Sequence, residues 1–156
     1  MPSISGDKTR LRRAREHDVA RLVAWHADTE VARFWDDETF TESEMRERLA
    51  RDDVEAWIVE AEGGEPIGYV QLHETGIDMF LVPAARGRGL GPDAARAITR
   101  HLIEDRGWSR VTVDPYEWNE QALRAWRNAG FVPVSHHPPD DEHTAAWVLM
   151  EVRAGR

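Results

Sequence analysis

The chain has 156 residues, 41% of them apolar, enough for one substantial core, so a single domain spanning 1–156 is expected. Twenty-nine acidic against twenty basic residues give a formal net charge of −9, which disfavours a nucleic-acid partner, and no apolar run approaches the roughly 18 residues of a membrane span. Zero cysteines exclude a disulfide framework, a cysteine–zinc site and a thiolate nucleophile, and with no apolar leader at the N-terminus a cytoplasmic location is expected.

In chain order, residues 8–14 read as a first strand, and 18–27 and 41–51 as helices. The second helix opens on a Thr41-Glu42-Ser43-Glu44 capping box. Residues 56–61 and 67–73 are strands joined by Glu62-Gly63-Gly64-Glu65-Pro66, which suits an antiparallel hairpin. A strand at 77–82 follows, then a helix at 92–105 and a strand at 110–114. A helix at 119–129 and strands at 131–135 and 146–153 complete the pattern β-α-α-β-β-β-α-β-α-β-β.

The join between the strand at 77–82 and the helix after it carries the most chemistry. Pro83-Ala84-Ala85-Arg86-Gly87-Arg88-Gly89-Leu90-Gly91 is a basic, glycine-rich turn that opens a helix. The unpaired N–H groups and positive dipole end of that helix suit a pyrophosphate, and glycines let it approach. A Walker loop fails here because Gly91 is followed by Pro92 and Asp93, and a dinucleotide loop fails on its glycine interval. Downstream, Asn119 is placed to cap a helix carrying Ala122, Leu123 and Trp126 on one face, with Gly130 in the left-handed position that ends it.

Arg86, Gly89 and Gly91 match the Arg/Gln-x-x-Gly-x-Gly/Ala signature of the GNAT acetyltransferases, and 119–131 resembles the second signature of that family, ending in Ala129-Gly130-Phe131. The resemblance implies an α/β (α+β) GNAT fold, with a mixed, mostly antiparallel sheet of about seven strands and about four helices. A splayed strand pair would hold acetyl-CoA as cosubstrate. It further implies that the backbone of Phe80, Leu81 and Val82 and the loop Arg86, Gly87, Arg88, Gly89, Leu90 and Gly91 bind that cosubstrate. Asn119 is read equally as a plain cap and as a cofactor contact. Trp126 stands where the family has an acidic tyrosine, and an indole N–H cannot deliver a proton at neutral pH. Trp126 is therefore assigned to core or cofactor packing, and Tyr116 is a weaker candidate for general acid.

Acidic groups recur toward the expected acceptor side: Asp36, Asp37, Glu38, Glu74, Asp78, Asp114 and Glu117. The segments Gly64-Glu65-Pro66-Ile67-Gly68-Tyr69-Val70-Gln71, Gly76-Ile77-Asp78 and Asp114-Pro115 resemble the aminoglycoside 6′-N-acetyltransferase branch. That likeness implies Asp78 as the catalytic base, with Trp35, Asp37, Glu74 and Asp114 binding a cationic amine. The branch's longer enzymes carry an insertion before Gly-Ile-Asp where only Glu74-Thr75 remains here. Acetylation of a protein or peptide N-terminus and a non-catalytic acetyl-CoA-binding module stay open as alternatives, as does a homodimer. His136, His137 and His143 do not have metal-ligand spacing, so no metal is expected. No serine has a nucleophile's context, which leaves direct attack of an amine on a thioester.

Overall fold

The computed structural model describes residues 3–33, 35 and 38–155. Strands β3 (Glu55–Ala61), β4 (Pro66–His73) and β5 (Gly76–Leu81) form an antiparallel meander at the centre of the sheet. Helices cover both faces of these strands, so runs such as Ala56-Trp57-Ile58-Val59 are buried at every position instead of alternating. On one side β2 (Thr9–Arg13) pairs with β3 and β1 (Ser3–Ser5) with β2; on the other lie β6 (Arg110–Val113), β8 (Trp147–Arg153) and β7 (Val132–His137). The order is β1-β2-β3-β4-β5-β6-β8-β7, and of the pairs in it only β5–β6 is parallel.

Helices α1 (Val19–Ala27), α2 (Thr29–Ala32) and α3 (Glu42–Ala50) cover one face, over Ile58, Tyr69 and Phe80. Helices α4 (Leu90–Arg100), which continues into a π turn at His101–Asp105, and α5 (Glu120–Asn128) cover the other face, where Ile98, Leu102, Val111, Phe131 and Met150 form the larger core. The Thr41 box forms as expected, with Glu44 N–H donating to Thr41 Oγ1 at 3.1 Å and Thr41 N–H to Glu44 Oε1 at 2.9 Å. At the end of α5, Phe131 N–H reaches Trp126 O at 3.0 Å and Gly130 N–H reaches Arg127 O at 2.9 Å, with Gly130 at φ +100°.

The described residues hold eight strands and five α-helices where about seven and about four are expected. The additions are β1, in which only Ile4 is buried, and the single turn of α2, capped by Asp28. Elements of three and four residues are too short to show a period. None of the described helices is long and apolar enough to cross a membrane.

His26 lies at the centre of the α1 side, fully buried, with its ring edge-on to Trp35, Phe40, Tyr69 and Phe80. Its Nδ1 bonds Leu22 O at 2.8 Å and its Nε2 has no partner among the described residues. Burial pushes the imidazole below its ordinary range, outweighing the pull of the Leu22 carbonyl. The folded protein therefore holds His26 neutral while the unfolded chain protonates below about pH 6.5, so stability falls as pH drops, by at most about 1.4 kcal/mol per pH unit for this one group. Chemical denaturation at about pH 7.5 and about pH 5 is expected to show a smaller loss in His26→Leu than in wild type.

Candidate active site

Strands β5 and β6 share the single pair Gly76–Thr112, with Thr112 N–H also bonded to Thr75 O at 2.9 Å. Beyond that pair the strands separate, because the chain leaves β6 at Asp114-Pro115 while β5 runs on to Leu81. The opening faces the loop between β5 and α4. That loop passes through a 3₁₀ turn at Pro83–Ala85 and reaches α4 through Gly89, whose φ of +74° is the left-handed conformation that lets the first-turn N–H groups of α4 point outward uncapped.

A cleft of about 390 Å³ lies between the end of β5, this loop and α5. Of the residues that the resemblance assigns to the cosubstrate, Phe80, Leu81, Arg86, Gly87, Gly89, Leu90, Gly91, Asn119 and Trp126 line it. Val82 and Arg88 do not. The Val82 N–H is taken by Ile67 O at 2.8 Å, which returns the chain to β4, and Arg88 is exposed. Arg86 donates to Leu81 O at 3.2 Å and to Glu30 O at 2.8 Å, stapling the loop to β5 and α2, and burial lowers its pKa. A cation that the sequence did not suggest stands beside the loop. The Lys8 Nζ lies 3.2 Å from where a Cβ on Gly89 would sit, because buried Asp93 of α4 accepts from Asp7 N–H, Lys8 N–H and Thr9 Oγ1 and so fixes the β1–β2 turn there.

A second cleft, of about 770 Å³, lies on the other side of the opening. Met79, Asn119, Ala122 and Trp126 line both, so the two clefts meet where the strands part. Asn119 accepts from Ala122 N–H at 3.1 Å, which makes it the helix cap while its side chain borders both spaces. Of the residues expected on the acceptor side, Trp35, Glu38, Glu74, Asp78 and Asp114 line this second cleft. Asp36 and Asp37 fall outside the described residues. Glu117 is not in the lining and lies 3.7 Å from His136.

Among the described residues, eight carboxylates and two arginines line this cleft, so its field favours a cation. Arg106 is held by Glu55 at 2.7 Å and Arg48 by Gln71 Oε1 at 2.9 Å, whereas Glu38, Asp52, Glu74 and Glu142 have no ion-pair partner among the described residues. Glu74 has φ +37°, a left-handed turn conformation worth about 1 kcal/mol of strain or more in a residue with a Cβ, in the two-residue link between β4 and β5.

Two histidines partner the two central aspartates, and the sequence pattern marked neither for that part. The Nε2 of His73 lies 3.1 Å from Asp78 Oδ2, and the bond to Asp78 raises the His73 pKa against its burial. The Nε2 of His143 lies 2.7 Å from Asp114 Oδ2, while its Nδ1 lies 2.8 Å from Asp140 Oδ1 and its ring stacks on Trp147 at 4.2 Å. Burial and the nearby Asp78 charge push the Asp114 carboxyl above its usual range despite His143; burial opposes protonation of His143, but the bonds to Asp140 and Asp114 raise it. No group of three or more His, Cys, Asp or Glu among the described residues is arranged to hold a metal ion.

The acetyltransferase (GNAT) domain family matches residues 8–132. The chain is 32% identical to the aminoglycoside N(6′)-acetyltransferase type 1 of Klebsiella pneumoniae, in a match covering 81% of this chain and 75% of that one. It superposes on a solved structure of AAC(6′)-Ib in complex with paromomycin and acetyl-CoA with a TM-score of 0.83, at 27% identity over 94% of each chain. A second structure of that enzyme holds coenzyme A and kanamycin. Spermidine N-acetyltransferase from Vibrio cholerae, with CoA and spermine, gives a TM-score of 0.83 at 15% identity over 94% of this chain and 95% of that one, a likeness of fold alone. Because the family match runs through both splayed strands and both glycine signatures, the chain belongs to the GNAT acetyltransferase family.

Proposed function

We propose that this chain, acting as a single domain, transfers the acetyl group of acetyl-CoA to the 6′-amine of an aminoglycoside by direct attack, with Asp78 as base. The observation that carries this reading is the meeting of the two clefts at the parted strands, one ending on a helix N-terminus and the other lined with carboxylates. The likeness to enzymes named for 6′-acetylation supports the choice of amine.

The first cleft fits the cosubstrate: the uncapped start of α4 and Lys8 suit its phosphates, and no described residue lies within 4 Å of where a Gly87 Cβ would be, so the loop is open to a ligand. Bound there, acetyl-CoA supplies an activated thioester carbonyl. On the other side, Trp35 forms an apolar wall, and Asp114 and Glu74 supply negative charge to orient a polycationic amine. Asp78 accepts one proton from the ammonium, the freed lone pair attacks the carbonyl carbon, the electrons of the broken C–S bond leave on sulfur, and the nitrogen's second proton passes to solvent as the amide forms. A thiol of ordinary pKa about 8.5 departs as the thiolate without a donor, which suits the presence of Trp126 in place of a tyrosine.

Gly68 opposes Leu81 across the β4–β5 ladder, and a Cβ there would lie 2.6 Å from the Phe80 carbonyl oxygen and 2.7 Å from Leu81 Cδ2. Gly68→Ala must therefore displace the end of β5. Isothermal titration is expected to show weakened acetyl-CoA binding, with stability lowered by about 1–3 kcal/mol; unaltered affinity would mean that this strand end does not hold the cosubstrate.

A thiol-release assay with acetyl-CoA tests the function. Turnover is expected with kanamycin, tobramycin and neomycin and little with paromomycin, which has a hydroxyl at the 6′ position. Equal turnover on paromomycin would reject 6′-amine transfer, and turnover on none, with acetyl-CoA still bound, would redirect the reading to a peptide acceptor or a binding module.

A further inference from the structure

His73 ends β4, and only Glu74 and Thr75 separate it from its pairing partner Gly76 at the start of β5. Alternate residues of a strand share a face, so His73 lies diagonal to Asp78, which stands opposite Gln71. Gly76 makes room for the ring: a Cβ there would lie 2.6 Å from His73 Cε1 and 3.2 Å from Nδ1. The result is an imidazole on the wall of the acceptor cleft, with its Nε2 3.1 Å from Asp78 Oδ2 and its side chain 42% exposed. Among the described residues no hydrogen bond is made to Asp78 Oδ1, the other oxygen of the same carboxylate.

We propose that His73 is the positioning residue of the Asp78 base, and that its imidazolium competes with the acceptor's ammonium for that carboxylate. The inference rests on the reading of Asp78 as base given above. When His73 is neutral, its Nε2–H donates to Oδ2 and turns Oδ1 toward the cleft, and the pair carries one negative charge to meet a cation. The ammonium N–H bond then breaks toward Oδ1, and its electron pair stays on nitrogen to form the C–N bond. No proton passes through Nε2, which already holds one. When His73 is protonated, the pair is electrically neutral, so the cation finds less attraction and must compete with the imidazolium for the carboxylate.

The charged groups that face His73 are Asp78 on β5, Asp114 after β6 and Glu74 in the hairpin, all acidic, and they hold its pKa above the ordinary value of about 6.5. The neutral form, and with it acceptor turnover, is therefore lost as pH falls through a value above about 6.5. A ring with a purely packing role would leave no such imprint on the rate.

The test is the pH profile of kcat/KM for kanamycin, at saturating acetyl-CoA, in wild type, His73→Gln and His73→Ala. Wild type is expected to fall about tenfold per pH unit on the acid side. Glutamine can keep an N–H on Oδ2 without titrating, so in His73→Gln this acid limb disappears while kcat near pH 8 stays within about threefold of wild type. In His73→Ala the limb also disappears, but kcat falls about tenfold at every pH because the carboxylate is no longer held. Kanamycin turnover with the same acid limb in His73→Gln as in wild type overturns this inference alone. No kanamycin turnover by wild type at any pH overturns the aminoglycoside reading and this inference with it.

Discussion

Replacing Asp78 with asparagine is expected to lower kcat for an aminoglycoside acceptor by about 10²–10⁴-fold, the range that a positioned general base supplies, and to leave acetyl-CoA binding unchanged. Asparagine has nearly the same shape and keeps an oxygen for the His73 ring, so the β4–β5 hairpin and the cleft wall survive the change. What it lacks is a group that can accept a proton from an ammonium, which is not a nucleophile until that proton is gone. Asp78 also lies on the acidic cleft and not in the lining of the cleft beside α4, so cosubstrate affinity measured by titration serves as the internal control. Turnover that survives Asp78→Asn would transfer the role of base to another group or to solvent.

The second large effect concerns stability. Asp18 is completely buried and accepts from two Arg12 nitrogens at 2.9 Å each, from Arg21 at 2.7 Å and from Arg15 N–H at 2.9 Å, while Arg12 also bonds Glu60 at 2.9 Å. Burial works to raise the Asp18 pKa, but the Arg12 and Arg15 bonds overcome it and hold the carboxyl below its usual value. Asp18→Ala removes the acceptor and leaves the Arg12 guanidinium, only 16% exposed, short of charge. A loss of about 3–5 kcal/mol is expected, a large part of the stability of a domain this size. Because the folded pKa is depressed, this contribution is present above about pH 4 and is lost as pH falls through the folded value. Urea denaturation followed by tryptophan fluorescence measures it; a loss below about 1 kcal/mol would mean that desolvation of the network cancels its attraction.

Much of the fold was legible because its signals are local. The Thr41 box, the Gly130 stop and the glycine loop before α4 each act over a few residues, and each appears where expected. The structure brings Asp78, Asp114, Glu74 and Trp35, which the resemblance assigns to the acceptor, onto one cleft. What was not legible depends on tertiary register. The contact of His143 with Asp114 crosses from the β7–β8 connection to the end of β6, and no spacing announces it. Lys8 reaches the Gly89 loop only because Asp93 anchors a distant turn. The His73–Asp78 pair did leave a trace: a two-residue link between strands fixes the register, and that register sets the two side chains on one face. Arg86, a motif residue expected at the cosubstrate, also donates to the backbone carbonyls of Leu81 and Glu30, contacts that no local spacing announces.

The most direct test of the central claim is the position of the acetyl group in the product. Kanamycin incubated with the enzyme and acetyl-CoA, then assigned by two-dimensional NMR, is expected to carry one acetyl group, on the 6′ nitrogen. An acetyl group on any other nitrogen, or unmodified kanamycin recovered from enzyme that still binds acetyl-CoA, would contradict it.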